Sequence, residues 1–268
     1  MPAHVVPSTG EETATVRDGA ARRALTPTQL GVVGLAAIAF AAFAYRSPVE
    51  AFATLILLVQ IGFLALAAWR IVLILVSQKA IPEAASDDFL PRYTILAALH
   101  DEAEVVSQLI ERLSQIEYPS GQLEGFLLLE AHDLETIDEA EACERPPWLR
   151  ILIVPPGTPR TKPRALNYGL AHATGELLTI YDAEDDPDPL QLREAAGRFA
   201  AADMDDVACL QSPLRIRRRA NTRHTSPFLE RQFAVEYAAL FEVTLPAMAR
   251  LGLPFPLGGT SNHFRGIR

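Results

Sequence analysis

The sequence predicts an α/β protein with a mainly parallel sheet, preceded by two transmembrane helices. Short, uniformly apolar segments alternate with amphipathic segments over residues 93–201, as in a parallel sheet covered by helices on both faces. Polar residues follow directly after several of these apolar segments. Two longer apolar segments, at residues 30–45 and 51–69, come earlier in the chain.

Size and composition narrow the possible functions. A chain of 268 residues can bury one sizeable core, and 49% of its residues are hydrophobic. Its formal net charge of −9 at pH 7 argues against nucleic acid as a partner, because such proteins need a basic surface. The two cysteines, Cys143 and Cys209, lie far apart and suggest neither a disulfide framework nor a zinc site, so a reducing compartment is the simplest interpretation.

The first third of the chain is predicted to anchor the protein in a membrane. Residues 1–28 are polar and lack apolar periodicity, which predicts a disordered tail. Residues 51–69 reach about the 20 residues that a helix needs to cross a bilayer, and the shorter segment 30–45 carries no charge. A signal peptide is the alternative for this shorter segment, but it starts late and lacks a clear cleavage site. We therefore predict a transmembrane hairpin over residues 29–78, and buried core helices are the alternative interpretation.

Basic residues predict the orientation of this hairpin. Arg17, Arg22 and Arg23 precede the first apolar segment and Lys79 follows the second, whereas Arg46 alone lies between them. Because basic residues concentrate on the cytosolic side, the tail and the large domain are both predicted to be cytosolic. The expected location is the cell inner membrane, as a multi-pass protein in contact with membrane lipid.

The large domain is predicted over residues 90–268, and its elements follow from hydrophobic patterning. Residues 93–99 form a short apolar run, which predicts a buried strand. Apolar residues between 105 and 113 recur at helical spacing and predict a helix over 102–115. The same patterns predict strands over 126–129, 149–154 and 176–181, and helices over 136–143, 162–173, 190–201 and 228–250.

A dense group of carboxylates follows the strand predicted at residues 176–181. Asp182 and Glu184 lie two residues apart, so in an extended backbone both side chains would point to the same face. Two convergent carboxylates provide oxygen ligands suited to Mg²⁺ or Mn²⁺, and such an ion can stabilise a diphosphate leaving group. A solvated acidic turn is the alternative interpretation.

Polar residues after two other strands favour the metal site. His100, Asp101 and Glu102 follow the first predicted strand, and Glu130 follows the second. Ligands of open α/β sheets bind beyond the carboxyl ends of the strands, so a nucleotide-binding domain is expected. The chain contains no Gly-x-Gly-x-x-Gly after a strand, no P-loop and no nucleophile elbow, which argues against Rossmann dehydrogenases, P-loop ATPases and serine hydrolases.

The order of these motifs resembles that of family 2 glycosyltransferases. The motifs are His100-Asp101-Glu102 after the first strand, Glu130 after the second, Thr-Lys-Pro-Arg-Ala-Leu-Asn-Tyr at residues 161–168, and Tyr-Asp-Ala-Glu-Asp at residues 181–185. The combination is similar to the processive, membrane-embedded branch that includes bacterial cellulose synthases and related β-glycan synthases. The resemblance covers residues 92–265 and implies a GT-A nucleotide-sugar-binding domain.

On the donor side, the resemblance implies a role for each matching residue. His100, Asp101 and Glu102 would face the nucleotide of the sugar donor, which is expected to be UDP-linked. Glu130 stands where the family usually has an Asp that contacts the uracil or the ribose. Lys162 would meet the diphosphate.

The resemblance also implies metal ligands and an acceptor side. Asp182 and Glu184 would correspond to the family's Asp-x-Asp motif and hold Mg²⁺ or Mn²⁺, with Glu184 replacing the second Asp. Residues 254–264 resemble the family's acceptor-side loop, in which Gly259, Thr260 and His263 would contact a glycan acceptor.

The function implied is a membrane-bound glycosyltransferase of polysaccharide biosynthesis that transfers a sugar from a nucleotide-sugar to a glycan with inversion. The family's catalytic base follows the glycine loop, so we expect it beyond Arg268 and expect the chain to be incomplete at its C-terminus. One alternative is a membrane-anchored protein that binds nucleotide-sugar without turnover. Another is a sugar-phosphate nucleotidyltransferase, which should carry a glycine-rich basic loop after the first strand, where this chain has His-Asp-Glu-Ala at residues 100–103.

Overall fold

A computed structural model describes residues 26–77, 90–201, 207–216 and 227–266. Most of the predicted tail, the arginines before the first apolar segment and Lys79 lie outside these residues. The chain divides into two compact units, residues 1–70 and residues 71–268.

Two long apolar helices precede the sheet, as predicted. Helix α1 spans Pro27–Arg46 and helix α2 spans Pro48–Val76, so α2 continues beyond the segment 51–69. The side chain of Thr26 accepts a hydrogen bond from Gln29 N and the Gln29 side chain accepts one from Thr26 N, which caps the start of α1. By length and composition, both helices could cross a membrane.

The second unit contains a six-stranded sheet, which confirms the predicted α/β class and its mainly parallel character. The order of the strands is β3-β2-β1-β4-β6-β5. Strands β1 to β4 are parallel to one another, whereas β6 runs antiparallel to both β4 and β5. The strands are β1 (Tyr93–Leu99), β2 (Leu123–Glu130), β3 (Leu149–Val154), β4 (Leu177–Tyr181), β5 (Cys209–Gln211) and β6 (Asn262–Arg265).

Six helices accompany these strands in the described part of the second unit. They are α3 (Ala103–Ser114), α4 (Leu134–Ala142), α5 (Lys162–Leu170), α6 (Gln191–Ala200), α7 (Pro227–Ala239) and α8 (Leu245–Arg250). The single helix predicted over residues 228–250 is interrupted by a π-helical turn, Leu240–Thr244. Pro246 in the first turn of α8 lacks an N–H, so regular α-helical bonding cannot continue through this point.

Helices cover both faces of the sheet, as its apolar strands require. One face carries a cluster that joins α3 and α6 to β1 and β2 through residues such as Val106, Leu192 and Ile95. Leu96 and Ala165 belong to a second cluster on the opposite face, below α5. Gly169 allows α5 to approach closely, because a Cβ atom there would lie 2.8 Å from the side chain of Leu128.

The strand order creates a crevice at the carboxyl edge of the sheet. From β1 the chain adds β2 and β3 on one side, and β4 then pairs with the other side of β1. The order in which strands are added therefore reverses between β1 and β4. Open α/β sheets bind their ligands at such a reversal, outside the carboxyl ends of the strands. Both predicted groups of carboxylates, after β1 and after β4, lie at this edge.

Strand β6 was not predicted, because residues 254–264 were assigned to a loop. The strand is four residues long and begins with Asn262 and His263, both buried. The buried side chains at the start of β6 are polar, and residues elsewhere in the chain provide their hydrogen-bond partners. A search for apolar runs therefore does not find this strand.

Candidate active site at the carboxyl ends of β1 and β4

The acidic segment after β4 forms a tight turn and not an extended strand. Asp185 N donates to Asp182 O at 3.1 Å, and Asp182 N donates to Asp185 Oδ2 at 2.8 Å. The argument that alternation places Asp182 and Glu184 on one face therefore does not apply. The turn instead links Asp182 to Asp185, a residue to which the sequence analysis assigned no role.

Two residues from other elements hold this turn in place. Arg112, near the end of α3, donates from Nη1 to the carbonyls of Glu184 at 2.8 Å and Asp185 at 3.0 Å. The Thr260 hydroxyl donates to the Asp185 carboxylate and lies 3.2 Å from Asp182 N. The turn is thus fixed from the helical side by Arg112 and from the side of β6 by Thr260.

Lys162 brings a positive charge to the turn. It is the first residue of α5, and its Nζ contacts Asp182 Oδ1. Burial lowers the pKa of Lys162, whereas the nearby carboxylates of Asp185, Glu184 and Glu102 oppose this shift. The four acids Glu102, Asp182, Glu184 and Asp185 are called the carboxylate cluster below.

The pKa values of two acids in the carboxylate cluster are raised. Burial raises the pKa of Asp185 to about 6, and the Glu184 charge adds to the shift while the Thr260 hydrogen bond opposes it. Burial, followed by the charge of Glu184, also raises the pKa of Glu102. Glu102 Oε2 is buried and has no hydrogen-bond partner among the described residues. An unpartnered carboxylate oxygen beside other acids is a ligand of the type that Mg²⁺ or Mn²⁺ prefers.

A second group of side chains lies at the end of β1. Asp133 accepts from Asp101 N at 2.7 Å and from Thr136 N at 3.2 Å, which caps α4. Burial would raise the pKa of Asp133, but these hydrogen bonds hold it below its usual value. The ligand atoms of His100, Asp101 and Asp133 lie within 4.8 Å of one another, so among the described residues this is the group whose ligand atoms converge closely enough to hold a metal ion. Asp101 has a left-handed backbone (φ 57°), which Asp tolerates better than most residues.

Glu130 lies at the end of β2, buried and paired with an arginine. Arg164 donates from Nη2 to Glu130 Oε2 at 2.5 Å and from Nη1 to Pro155 O at 2.8 Å. Beside this pair is a cavity of about 70 Å³, which also reaches Lys162. It is lined by Ala98, Leu99, His100, Glu130, Arg160, Thr161, Lys162 and Ala165.

His263 lies inside the sheet, away from the carboxylate cluster. Its side chain is fully buried, with Nδ1 2.6 Å from Tyr93 Oη and Nε2 3.0 Å from Ser212 Oγ. Both ring nitrogens therefore already have partners. Gly259 belongs to the loop before β6, whose next residue, Thr260, reaches the carboxylate cluster.

A protein-family model and a curated protein match parts of this chain. Residues 91–260 match the family model described as "Glycosyltransferase like family 2". A curated protein of Bacillus subtilis, "Probable glycosyltransferase YdaM", is 28% identical over 103 residues. That alignment covers 38% of this chain and 24% of the relative, so the chain spans about a quarter of that protein's length.

Two solved structures are similar to parts of this chain. Mannosyltransferase PcManGT from Pyrobaculum calidifontis, solved with GDP-Man and Mn²⁺, is 25% identical with a TM-score of 0.47, over 59% of this chain and 46% of that one. Glucosyl-3-phosphoglycerate synthase from Mycobacterium tuberculosis, solved with Mn²⁺, UDP and phosphoglyceric acid, is 15% identical with a TM-score of 0.42. That match covers 68% of this chain and 61% of the synthase.

Proposed function

The chain belongs to the family of glycosyltransferase-like family 2 proteins, and on this basis we propose that it transfers a sugar from a nucleotide-sugar to a glycan acceptor with inversion. The observation that carries the proposal is the meeting of the carboxylate cluster with Lys162 at the carboxyl ends of β1 and β4. Sheets whose strand order reverses in this way are expected to bind ligands at this edge.

The acidic turn and Lys162 would bind the diphosphate of the donor. Asp182 and Glu184 would hold Mg²⁺ or Mn²⁺, and the ion when bound would neutralise the charge of the leaving diphosphate. Lys162 already contacts Asp182, so its ammonium group lies where a diphosphate oxygen would approach that site.

The nucleoside would bind beside β1 and β2, near the cavity described above. Arg164 occupies Glu130 Oε2, which leaves Glu130 Oε1 to accept a hydrogen bond from the base or the ribose. His100, Asp101 and Glu102 would line the same side, and a UDP-linked donor is the proposal. The loop containing Gly259 and Thr260 would face the glycan acceptor.

Calorimetry on the whole chain in detergent tests this proposal. UDP, with GDP for comparison, is titrated in the presence of Mn²⁺ or Mg²⁺ and again with excess EDTA. We expect nucleotide binding that depends on the metal, because the carboxylate cluster alone would repel a diphosphate. The absence of nucleotide binding with either metal would contradict the proposed function.

We also propose that α1 and α2 span the inner membrane and place the large domain in the cytosol, in contact with membrane lipid. The support is their length, 20 and 29 residues, and the exposure of almost all their large apolar side chains. Reporter fusions at Met1 and at Arg268 should both give cytosolic signals. A periplasmic signal from the Arg268 fusion would refute the orientation, and recovery of the chain in the soluble fraction would refute the spans.

A further inference from the structure

Gln211, the last residue of β5, holds the loop that precedes β6. Its side-chain Oε1 accepts from Gly258 N at 2.7 Å. Its Nε2 lies 3.0 Å from Ser212 O, 3.1 Å from Thr260 O and 3.4 Å from Ser261 O. Both ends of the amide are therefore used on the loop of residues 258–261.

Gly258 lets the loop approach this amide. A Cβ atom at that position would lie 2.9 Å from Gln211 Oε1, which is too close without a shift. On the other side of the loop, Asn262 Nδ2 donates to Gly258 O at 2.6 Å. The loop is thus anchored by one amide side chain from β5 and one from β6.

The anchored loop leads directly to the acidic turn. The Thr260 hydroxyl donates to the Asp185 carboxylate, and Asp185 Oδ2 accepts the N–H of Asp182 at 2.8 Å. From this chain of contacts we infer that Gln211 is a positioning residue for the carboxylate cluster and acts through Thr260. The inference rests on the proposed function, because it assigns Gln211 to the metal and donor site of that reaction.

A role in sheet pairing alone would not require an amide at this position. The backbone of Gln211 pairs with Asn262, and any residue that favours strands could supply that pairing. Apart from a contact with Ser212 O, the amide's contacts in the described part of the chain are with the loop. Replacing the amide while keeping the length of the side chain therefore separates the two roles.

The first test measures Mn²⁺ affinity in Gln211→Met, using the whole chain in detergent and the metal alone as the probe. We expect binding about tenfold weaker, at the lower end of the range for residues that support metal ligands. Gln122→Met is the matched control, because Gln122 is exposed and directly precedes β2. It therefore lies at the amino ends of the parallel strands, opposite their carboxyl ends. Equal affinity in Gln211→Met and the unchanged protein overturns the inference.

A double-mutant cycle tests the route through Thr260. Thr260→Val removes the hydroxyl that binds Asp185 and keeps the shape of the side chain. If Gln211 acts through Thr260, the double variant should bind Mn²⁺ about as tightly as the weaker single variant. Losses that multiply would show that the two residues act independently, which contradicts the inference.

Hydrogen exchange on the unchanged protein tests the link between the metal site and the loop even if a variant fails to fold. Mn²⁺ alone should slow amide exchange over residues 258–261, because the ion would order Asp185, Thr260 and the loop together. Unchanged exchange in a protein that binds Mn²⁺ overturns the role of Gln211 and leaves the proposed function standing. Failure of the unchanged protein to bind Mn²⁺ and nucleotide overturns both.

Discussion

Asp182→Asn is expected to abolish metal-dependent nucleotide binding. The variant keeps the size of the side chain and one carbonyl oxygen but removes the charge that would face the ion and that pairs with Lys162. A lost charged ligand costs several kcal/mol of ion binding, so nucleotide affinity in the presence of Mn²⁺ should fall at least about 100-fold. Calorimetry with UDP and Mn²⁺ measures the change. The fold should survive, since Lys162 and Asp182 are both about one third exposed (34% and 29%) and such pairs stabilise little.

Asp138→Asn is the control for this variant. Asp138 is an exposed carboxylate on α4, and its replacement by Asn changes the net charge by the same amount. If both variants weaken nucleotide binding equally, the effect comes from net charge. Metal-dependent binding that is unchanged in Asp182→Asn would remove Asp182 from the site.

Acidification is expected to destabilise the second unit through His263. Burial lowers the pKa of His263 to about 4, whereas an unfolded histidine titrates near 6.5. Between these values the unfolded chain binds a proton that the folded chain excludes, so the free energy of unfolding decreases as the pH falls from 6.5 to 4. The contribution is fully present above pH 6.5, and about 3 kcal/mol is lost across the window.

Unfolding measured from pH 7 to pH 4 in the unchanged protein and in His263→Gln isolates this contribution. Asp185 acts in the opposite direction, because its raised pKa lets the folded state bind a proton first. The difference between the two pH profiles removes that effect. His132→Gln, at an exposed histidine, is the matched control for removal of an imidazole. Parallel profiles for His263→Gln and the unchanged protein would show that His263 is not the titrating group.

The first four strands could be predicted because parallel strands buried on both faces leave continuous apolar runs in the sequence. Strands β5 and β6 could not, since they are three and four residues long and partly polar. His263 can be buried because Tyr93 and Ser212 bind its ring nitrogens, and these residues lie 170 and 51 positions away. A local sequence pattern cannot reveal hydrogen-bond partners that lie so far away in the chain.

The site was predictable to a similar extent. Lys162 and Asp182 were assigned from separate motifs to the same diphosphate site, and their side chains touch. Asp185 was missed because the acidic segment was treated as extended, whereas its turn joins Asp182 to Asp185. Arg112 and Gln211 belong to no motif, and only the fold shows that they hold the turn and the loop.

The link between Asp185 and Thr260 has a consequence for the order in which the protein is made. Thr260 follows Asp185 by 75 residues, which a ribosome needs about 4 to 15 s to add. Until β6 is synthesised, β4 can pair only with β1, and its other edge is open. An open strand edge can pair with a strand of another chain, and charged residues beside it oppose such pairing. Until β6 has been synthesised, the acidic turn therefore lacks its contact with Thr260 and β4 lacks its second partner strand.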